Sequence, residues 1–132
     1  MDKNYKAYLE KVKFDIWLKK IIKRAQNKQV IIYGIGNLFQ YIYEHYDLSK
    51  LNIIGLSDIK FDYFEEEQKC FDFRTIKKNN IVKEKPDIIL IGAENYVDII
   101  LNFENNSEYK KIEILPLIKK PLGTLIKELW RR

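Results

Sequence analysis

Two hydrophobic patterns alternate along the chain. Short runs of consecutive apolar residues, many of them β-branched, are typical of strands buried on both faces of a parallel sheet. These runs occupy 30–33, 52–56, 87–91 and 112–115. Apolar residues at helical spacing predict amphipathic helices at 4–26, 38–46, 96–103 and 122–130. Strands that alternate with helices in this way predict an α/β fold with a doubly wound, mainly parallel sheet of about four or five strands.

The length of 132 residues fits a single domain with its own hydrophobic core. The predicted parts are an N-terminal helix at 1–27, a first β-α-β unit at 28–60, a variable segment at 61–85, and a second half with a C-terminal helix at 86–132. The variable segment is aromatic and acidic, and it fits either a short strand pair or an ordered loop. Within it, Thr75 is a predicted N-cap for a short helix that runs through Asn80.

The extra N-terminal helix is amphipathic. Its apolar stripe consists of Tyr5, Leu9, Val12, Ile16, Ile21, Ile22 and Ala25, broadened by Trp17 and Leu18. Lysines separate these positions, so one face of the helix is apolar and the other is charged. The stripe predicts packing against the rest of the chain, and the alternative is a contact with a second copy or with a partner enzyme.

A glycine-containing turn, Gly34-Ile35-Gly36, follows the first strand. Glycine leaves the backbone N–H groups of a strand-to-helix turn accessible, which is what a ligand phosphate requires. Asn37 has the side chain of an N-cap for the helix that follows. Asp58 ends the second strand 22 residues after Gly36. That separation is close to the spacing of about 20 residues at which an acidic residue binds a ribose in dinucleotide-binding folds.

The third long strand ends in Gly92, and the carboxyl ends of parallel strands meet at one edge of a sheet. The predicted ligand-binding residues are therefore Gly34, Ile35, Gly36, Asn37, Asp58 and Gly92. Phe39 stands where the fingerprint G-x-G-x-x-G has its third glycine. Its ring is expected either to hold the helix away from the strand or to fill the phosphate crevice. The alternative for the two glycines of the turn is a purely structural role.

Other reactive side chains form no recognisable catalytic set. Ser57 has no histidine partner indicated by the sequence, and the single histidine, His45, is predicted to face solvent. Tyr46 and Lys50 match the Tyr-x-x-x-Lys spacing of short-chain dehydrogenases, but they precede the second strand instead of lying on a late helix. Cys70 is the only cysteine, which excludes an internal disulfide and a cysteine metal cage. The sequence thus predicts neither catalytic nor metal-binding residues.

The charge balance narrows the classes of partner. The chain has 24 basic and 19 acidic residues and a net charge of +5, and most of its basic pairs fall at predicted helix ends or just before strands. This distribution is typical of solvated helix caps, so nucleic acid binding is not expected. No apolar run approaches the ~18 residues of a membrane span, and the first residues contain no apolar signal core. The predicted location is cytoplasmic.

Three motifs carry a resemblance to known proteins. They are Tyr33-Gly34-Ile35-Gly36, Gly55-Leu56-Ser57-Asp58 and Asp87-Ile88-Ile89-Leu90-Ile91. With them the chain resembles the Rossmann-like domains of polysaccharide-biosynthesis proteins. These include the N-terminal domains of nucleotide-sugar dehydratases and of sugar acetyltransferases, and modules attached to sugar methyltransferases and glycosyltransferases. The resemblance implies NAD(P) or a nucleotide sugar as the ligand, bound at Gly34, Gly36 and Asp58. The aromatic and acidic segment 61–73 departs from it, because it replaces a glycine-rich loop.

Three functions remain open at this point. The first is a small Rossmann-like module that binds a nucleotide, a dinucleotide or a nucleotide sugar without its own catalytic set. The second is a non-catalytic interaction module with a degenerate site, which acts as the partner of a glycan-modifying enzyme. The third is a methyltransferase-like remnant, because Asp58 also suits the ribose of S-adenosylmethionine. Ile32 stands where the glycine motif of methyltransferases usually has an acidic residue.

Overall fold

The computed structural model describes residues 4–121, 126, 127 and 130. Within this range the helices are α1 (Tyr5–Lys11), α2 (Phe14–Arg24), α3 (Asn37–His45) and α4 (Tyr96–Glu104). The strands are β1 (Gln29–Tyr33), β2 (Asn52–Ser57), β3 (Lys69–Cys70), β4 (Phe73–Arg74), β5 (Ile88–Ile91) and β6 (Glu113–Pro116). The predicted C-terminal helix at 122–130 falls for the most part outside the described residues. None of the described helices is long and apolar enough to cross a membrane.

The central sheet contains four strands in the order β2-β1-β5-β6, and all neighbouring strands are parallel. The inner strand β5 is buried along its whole length, and β1 is buried at Val30, Ile31 and Ile32. Burial on both faces explains why these strands are continuous apolar runs in the sequence. The predicted α/β fold with a doubly wound parallel sheet is confirmed, and the architecture is compatible with a Rossmann-like fold.

The helices lie on both sides of this sheet. Successive strand residues point to opposite faces. Val30, Ile32, Ile88 and Leu90 belong to a core shared with α1, α2 and α3. Ile31, Ile89 and Ile91 belong to a second core with Ile76, Ile81 and the α4 residues Tyr96 and Phe103. Two separate apolar cores therefore hold the sheet from its two faces.

The N-terminal helix predicted at 4–26 is wrong as one continuous element. It is divided into α1 and α2, and Lys13 between them has a left-handed backbone with φ of 55°. The break changes which side chains face the core: Phe14 is buried, whereas Ile16 of the predicted stripe is 51% exposed. Leu9, Leu18 and Ile21 are buried as well, so the apolar faces of both helices pack within the chain.

The segment 61–85 contains the short strand pair that was one of its two predicted forms. β3 and β4 pair antiparallel, and Thr75 then forms a parallel bridge with Leu56 of β2. The prediction that Thr75 caps a helix is wrong. Its Oγ1 donates to the Gln68 carbonyl at 2.8 Å and accepts from the Gln68 N–H at 3.1 Å. The hydroxyl therefore ties the two ends of the β3–β4 hairpin together and is not at a helix start, while the backbone contacts β2 through the Ile76 N–H, which donates to the Leu56 carbonyl at 2.7 Å.

Candidate functional site

Two loops leave the carboxyl edge of the sheet at neighbouring strands. After β1 the chain passes through 34–36 into α3, which packs on one face of the sheet. After β5 it passes through 92–95 into α4, which packs on the other face. β1 and β5 are adjacent strands, and the connections that follow them lead to opposite faces of the sheet. Such a topological switch point is where open α/β sheets bind their ligands.

A crevice of about 340 Å³ lies between these loops. Its lining contains all six residues predicted from the sequence, which are Gly34, Ile35, Gly36, Asn37, Asp58 and Gly92. The remaining lining residues are Tyr5, Leu38, Ala93 and Glu94. The volume lies near the lower end of the range of about 300–1,000 Å³ that is usual for small-molecule sites. The fold thus brings the predicted residues together around one concave surface.

The glycines Gly34 and Gly92 are required by close approach of the two loops. Gly34 has φ of +99°, a conformation that L side chains rarely adopt. A Cβ on Gly92 would lie 2.5 Å from the Gly34 carbonyl oxygen. The Gly92 N–H donates to the Tyr33 carbonyl at 2.8 Å, and the Gly34 N–H donates to the Ser57 carbonyl at 2.9 Å. The fold therefore requires glycine at both positions, whether or not a ligand binds.

Asp58 is held by the backbone on both sides of its carboxylate. Oδ2 accepts from the Ile35 N–H at 2.6 Å, and Oδ1 accepts from the Lys60 N–H at 3.1 Å. The Lys60 ammonium in turn donates to the Ile35 carbonyl. The middle residue of the glycine turn is therefore bonded through both of its backbone polar groups. We call Gly34, Ile35, Asp58 and Gly92 the floor of the crevice.

The start of α3 is arranged differently. Gly36 is the N-cap and has an extended backbone, whereas the prediction placed the cap at Asn37. That prediction is wrong, because Asn37 is already the first helical residue. No side chain caps the helix, and first-turn N–H groups have no intrahelical partner. A Cβ on Gly36 would meet nothing within 4 Å. We call Gly36, Asn37 and Leu38 the rim of the crevice.

Phe39 neither fills the crevice nor lines it. Its side chain is fully buried, in the core that α3 shares with the sheet. The ring lies 5.8 Å from the Phe71 ring, centroid to centroid, and a Cβ on Gly92 would be 3.6 Å from Phe39 Cδ1. The ring therefore packs in the core between α3 and the sheet and not in the crevice. The expectation that it fills the phosphate crevice is wrong, and the alternative, that it holds the helix away from the strand, stays a prediction.

The charges around the crevice are mixed. Asp58 and Glu94 contribute carboxylates to its lining, and the Lys60 ammonium is held next to it at the Ile35 carbonyl. Tyr33 precedes the floor in the chain, and burial raises the pKa of its phenol, with smaller contributions from Asp58 and Asp62. A raised pKa keeps the phenol neutral, which is unfavourable for a base.

The remaining reactive residues are not part of the crevice lining. His45 is exposed, and its Nδ1 lies 2.9 Å from the Tyr41 carbonyl oxygen. The Tyr46 ring packs edge-on against Phe14, 4.8 Å between centroids. Burial raises the pKa of the Cys70 thiol. Ser57 is fully buried, and its Oγ has no hydrogen-bond partner among the described residues. Within the described ranges, His, Cys, Asp and Glu side chains form no group that could hold a metal ion.

Sequence reasoning missed Tyr5 as a lining residue. It lies in α1, about 30 positions before the glycine turn. Its ring is 5.7 Å from the Tyr41 ring of α3, centroid to centroid. The apolar stripe included Tyr5 only as a helix-packing residue, and helical periodicity does not report that α1 begins beside the switch point. Its position at the crevice follows from the tertiary packing of α1 on α3.

Comparison with known proteins does not identify a family for this chain. No family of known proteins matches the sequence, and no curated protein is similar enough to match. The support for a ligand site therefore comes from the sheet topology and from the residues around the crevice. The likeness to proteins of polysaccharide biosynthesis stays a prediction from three short motifs.

Proposed function

We propose that this chain is a recognition module that binds a nucleotide-type ligand in the crevice between the β1–α3 and β5–α4 loops. The observation that carries the proposal is the position of that crevice. It lies at the switch point of a parallel sheet, and an uncapped helix start forms its rim. Both features are those by which α/β folds hold nucleotides.

The rim supplies the donors for an anionic group of the ligand. The N–H groups of the first turn of α3 have no intrahelical acceptor, and Gly36 has no side chain to accept from them. The positive end of the helix dipole adds to the attraction for a phosphate. The rim residues line the crevice, and a Cβ at Gly36 would contact nothing within 4 Å.

The other lining residues fit the sugar part of such a ligand. Each oxygen of the Asp58 carboxylate accepts one backbone N–H, and a carboxylate has about four lone-pair sites in total. It can therefore still accept from a ribose hydroxyl. The Tyr5 ring lies on the crevice wall and offers an apolar surface for a sugar or a base.

The proposal assigns recognition, and not catalysis, to this chain. Ser57, His45 and Cys70 are absent from the crevice lining, and no pair of groups in it is arranged as nucleophile and base. NAD(P), a nucleotide sugar and S-adenosylmethionine are all candidate ligands. The sequence motifs favour a role beside a separate enzyme of sugar or surface-polysaccharide biosynthesis. The competing role, an interaction module using the N-terminal helix, is less favoured because the apolar faces of α1 and α2 are buried within the chain.

Thermal unfolding with a panel of ligands tests the proposal. The panel contains NAD⁺, NADPH, a UDP-sugar, S-adenosylmethionine and AMP, each at about millimolar concentration. A ligand at 100 times its Kd stabilises the folded state by about 2.7 kcal/mol, which raises the Tm of a domain of this size by roughly 10 °C. We expect at least one member of the panel to produce such a shift.

Gly36→Asp is the variant that ties the shift to the crevice. Aspartate is a favourable N-cap residue, so the variant is expected to fold, while its side chain and charge occupy the space that the ligand needs. The ligand-induced shift should therefore disappear. Asn52→Asp is the matched control, because it adds the same carboxylate at an exposed position at the opposite end of β2. The proposal is wrong if no ligand raises the Tm, or if Gly36→Asp leaves the shift intact.

A further inference from the structure

Phosphate binding at a glycine turn depends on which backbone N–H groups are accessible. Three N–H groups of the two loops are already engaged within the protein. Those of Gly34 and Gly92 donate to backbone carbonyls, and that of Ile35 donates to the Asp58 carboxylate at 2.6 Å. The rim, at the start of α3, has first-turn donors that no side chain caps. One end of the crevice thus has free donors, whereas its floor has none from these three residues.

The Asp58 carboxylate also makes the rim and the floor of the crevice differ in charge. Asp58 and Ile35 both line the crevice, so their hydrogen bond is part of its wall. A phosphate that reached the Ile35 N–H would have to displace one carboxylate oxygen and would lie beside a like charge. Glu94 adds a second carboxylate to the lining. At contact distances, like-charge repulsion is several times stronger near a protein surface than in bulk water.

From this arrangement we infer that the crevice accepts a nucleoside carrying at most one phosphate and discriminates against nucleoside diphosphates and their esters. Asp58 is the residue that determines this specificity, because it occupies the donor that a second phosphate would use. The single phosphate binds at the rim, and the ribose lies toward Asp58. The inference rests on the proposed function and narrows its ligand class, since NAD(P) and UDP-sugars both contain a diphosphate.

The experiment compares two ligand series by calorimetry on the complete chain. The probes are adenosine, AMP and ADP, and uridine, UMP and UDP, so that the identity of the base does not decide the outcome. For the base that binds, we expect the diphosphate to have a Kd about tenfold higher than the monophosphate. Higher ionic strength screens the repulsion, so the ratio of the two Kd values should fall between about 0.05 M and 0.3 M salt. This salt series needs no variant.

Asp58→Asn tests the residue itself. The amide retains an oxygen that can accept from the Ile35 N–H but carries no charge, so the diphosphate-to-monophosphate ratio should fall by about fivefold or more. Asp62→Asn is the matched control, because Asp62 lies four residues away, is exposed and is not part of the lining. It should leave the ratio unchanged.

The outcomes separate the inference from the proposal on which it rests. A diphosphate that binds as tightly as the monophosphate, or a ratio that Asp58→Asn does not change, overturns the inference and leaves the nucleotide site standing. Failure of every probe in both series, together with no response from the thermal panel, overturns both.

Discussion

The floor and the rim of the crevice are adjacent in the chain but differ in what they require from their residues. In the floor, each residue meets another part of the protein. The Gly34 and Gly92 loops touch, and Asp58 is bonded to the Ile35 and Lys60 backbone. In the rim, Gly36 would tolerate a Cβ without any contact within 4 Å. Close contacts or backbone conformation therefore require glycine at Gly34 and Gly92, but neither requires it at Gly36.

This difference separates residues whose backbone and side chains are engaged in the fold from residues whose backbone donors remain available to a ligand. A glycine motif is usually interpreted as a unit, but here its two glycines have different environments. Substitutions in the floor should change the free energy of unfolding. Substitutions at Gly36 in the rim should change ligand binding and little else. The predictions below test that separation, beginning with the largest expected effect.

Gly92→Ala should be the most destabilising of these changes. Its Cβ would lie 2.5 Å from the Gly34 carbonyl oxygen, which is a backbone atom that cannot move without separating β1 from β5. Overpacking of this kind costs about 3 kcal/mol. Urea unfolding of the variant and of wild type measures the loss. Gly36→Ala is the matched control and should cost less than about 1 kcal/mol. Equal effects at the two positions would contradict the distinction between floor and rim.

Asp58→Ala should have the next largest effect. The change removes both acceptors of the carboxylate, so the partly buried Ile35 N–H loses its partner and the helical turn at Ile59–Tyr63 loses its cap. The expected cost is about 2 kcal/mol. Hydrogen exchange should also show faster exchange at the Ile35 amide.

Asp62→Ala provides the comparison for Asp58→Ala, because Asp62 accepts only a long bond of 3.4 Å from the Lys78 N–H and is exposed. It should cost less than about 0.5 kcal/mol. If Asp58→Ala were as mild as this control, and Ile35 exchange were unaffected, Asp58 would not hold the glycine turn.

Much of the fold was accessible from the sequence because its signals are local. β1 and β5 are buried on both faces, and a continuous apolar run reports such a strand directly. The glycine turn and Asp58 were found from their spacing, and the sheet brings them to one crevice. The break at Lys13 was not found, because periodicity fits one helix through 4–26 almost as well as two. The left-handed backbone of Lys13, the burial of Phe14 and the exposure of Ile16 distinguish them.

The properties of the site that escaped the sequence are those set by contacts between distant segments. Spacing predicts that Asp58 lies near the glycine turn, but it cannot show that the carboxylate accepts the Ile35 N–H across 23 positions. The motif also leaves open whether the Phe39 ring fills the crevice, whereas in the fold the ring is fully buried and does not line the crevice. In the sequence Phe39 is a departure from a fingerprint, and in the fold it is a core residue between α3 and the sheet.

Gly36→Ser should have the smallest effect on stability, and it should stabilise the protein, whereas the preceding variants destabilise it. Gly36 is an N-cap with an extended backbone and open space around it, and serine in that position can accept from a first-turn N–H of α3. We expect stabilisation by about 0.3 kcal/mol, measured as a small rise in the urea midpoint. The serine hydroxyl then competes with a ligand phosphate for the same donor, so the affinity for AMP or UMP should fall while stability rises. If stability fell by more than about 1 kcal/mol, Gly36 would have a structural role, and the rim would be part of the floor.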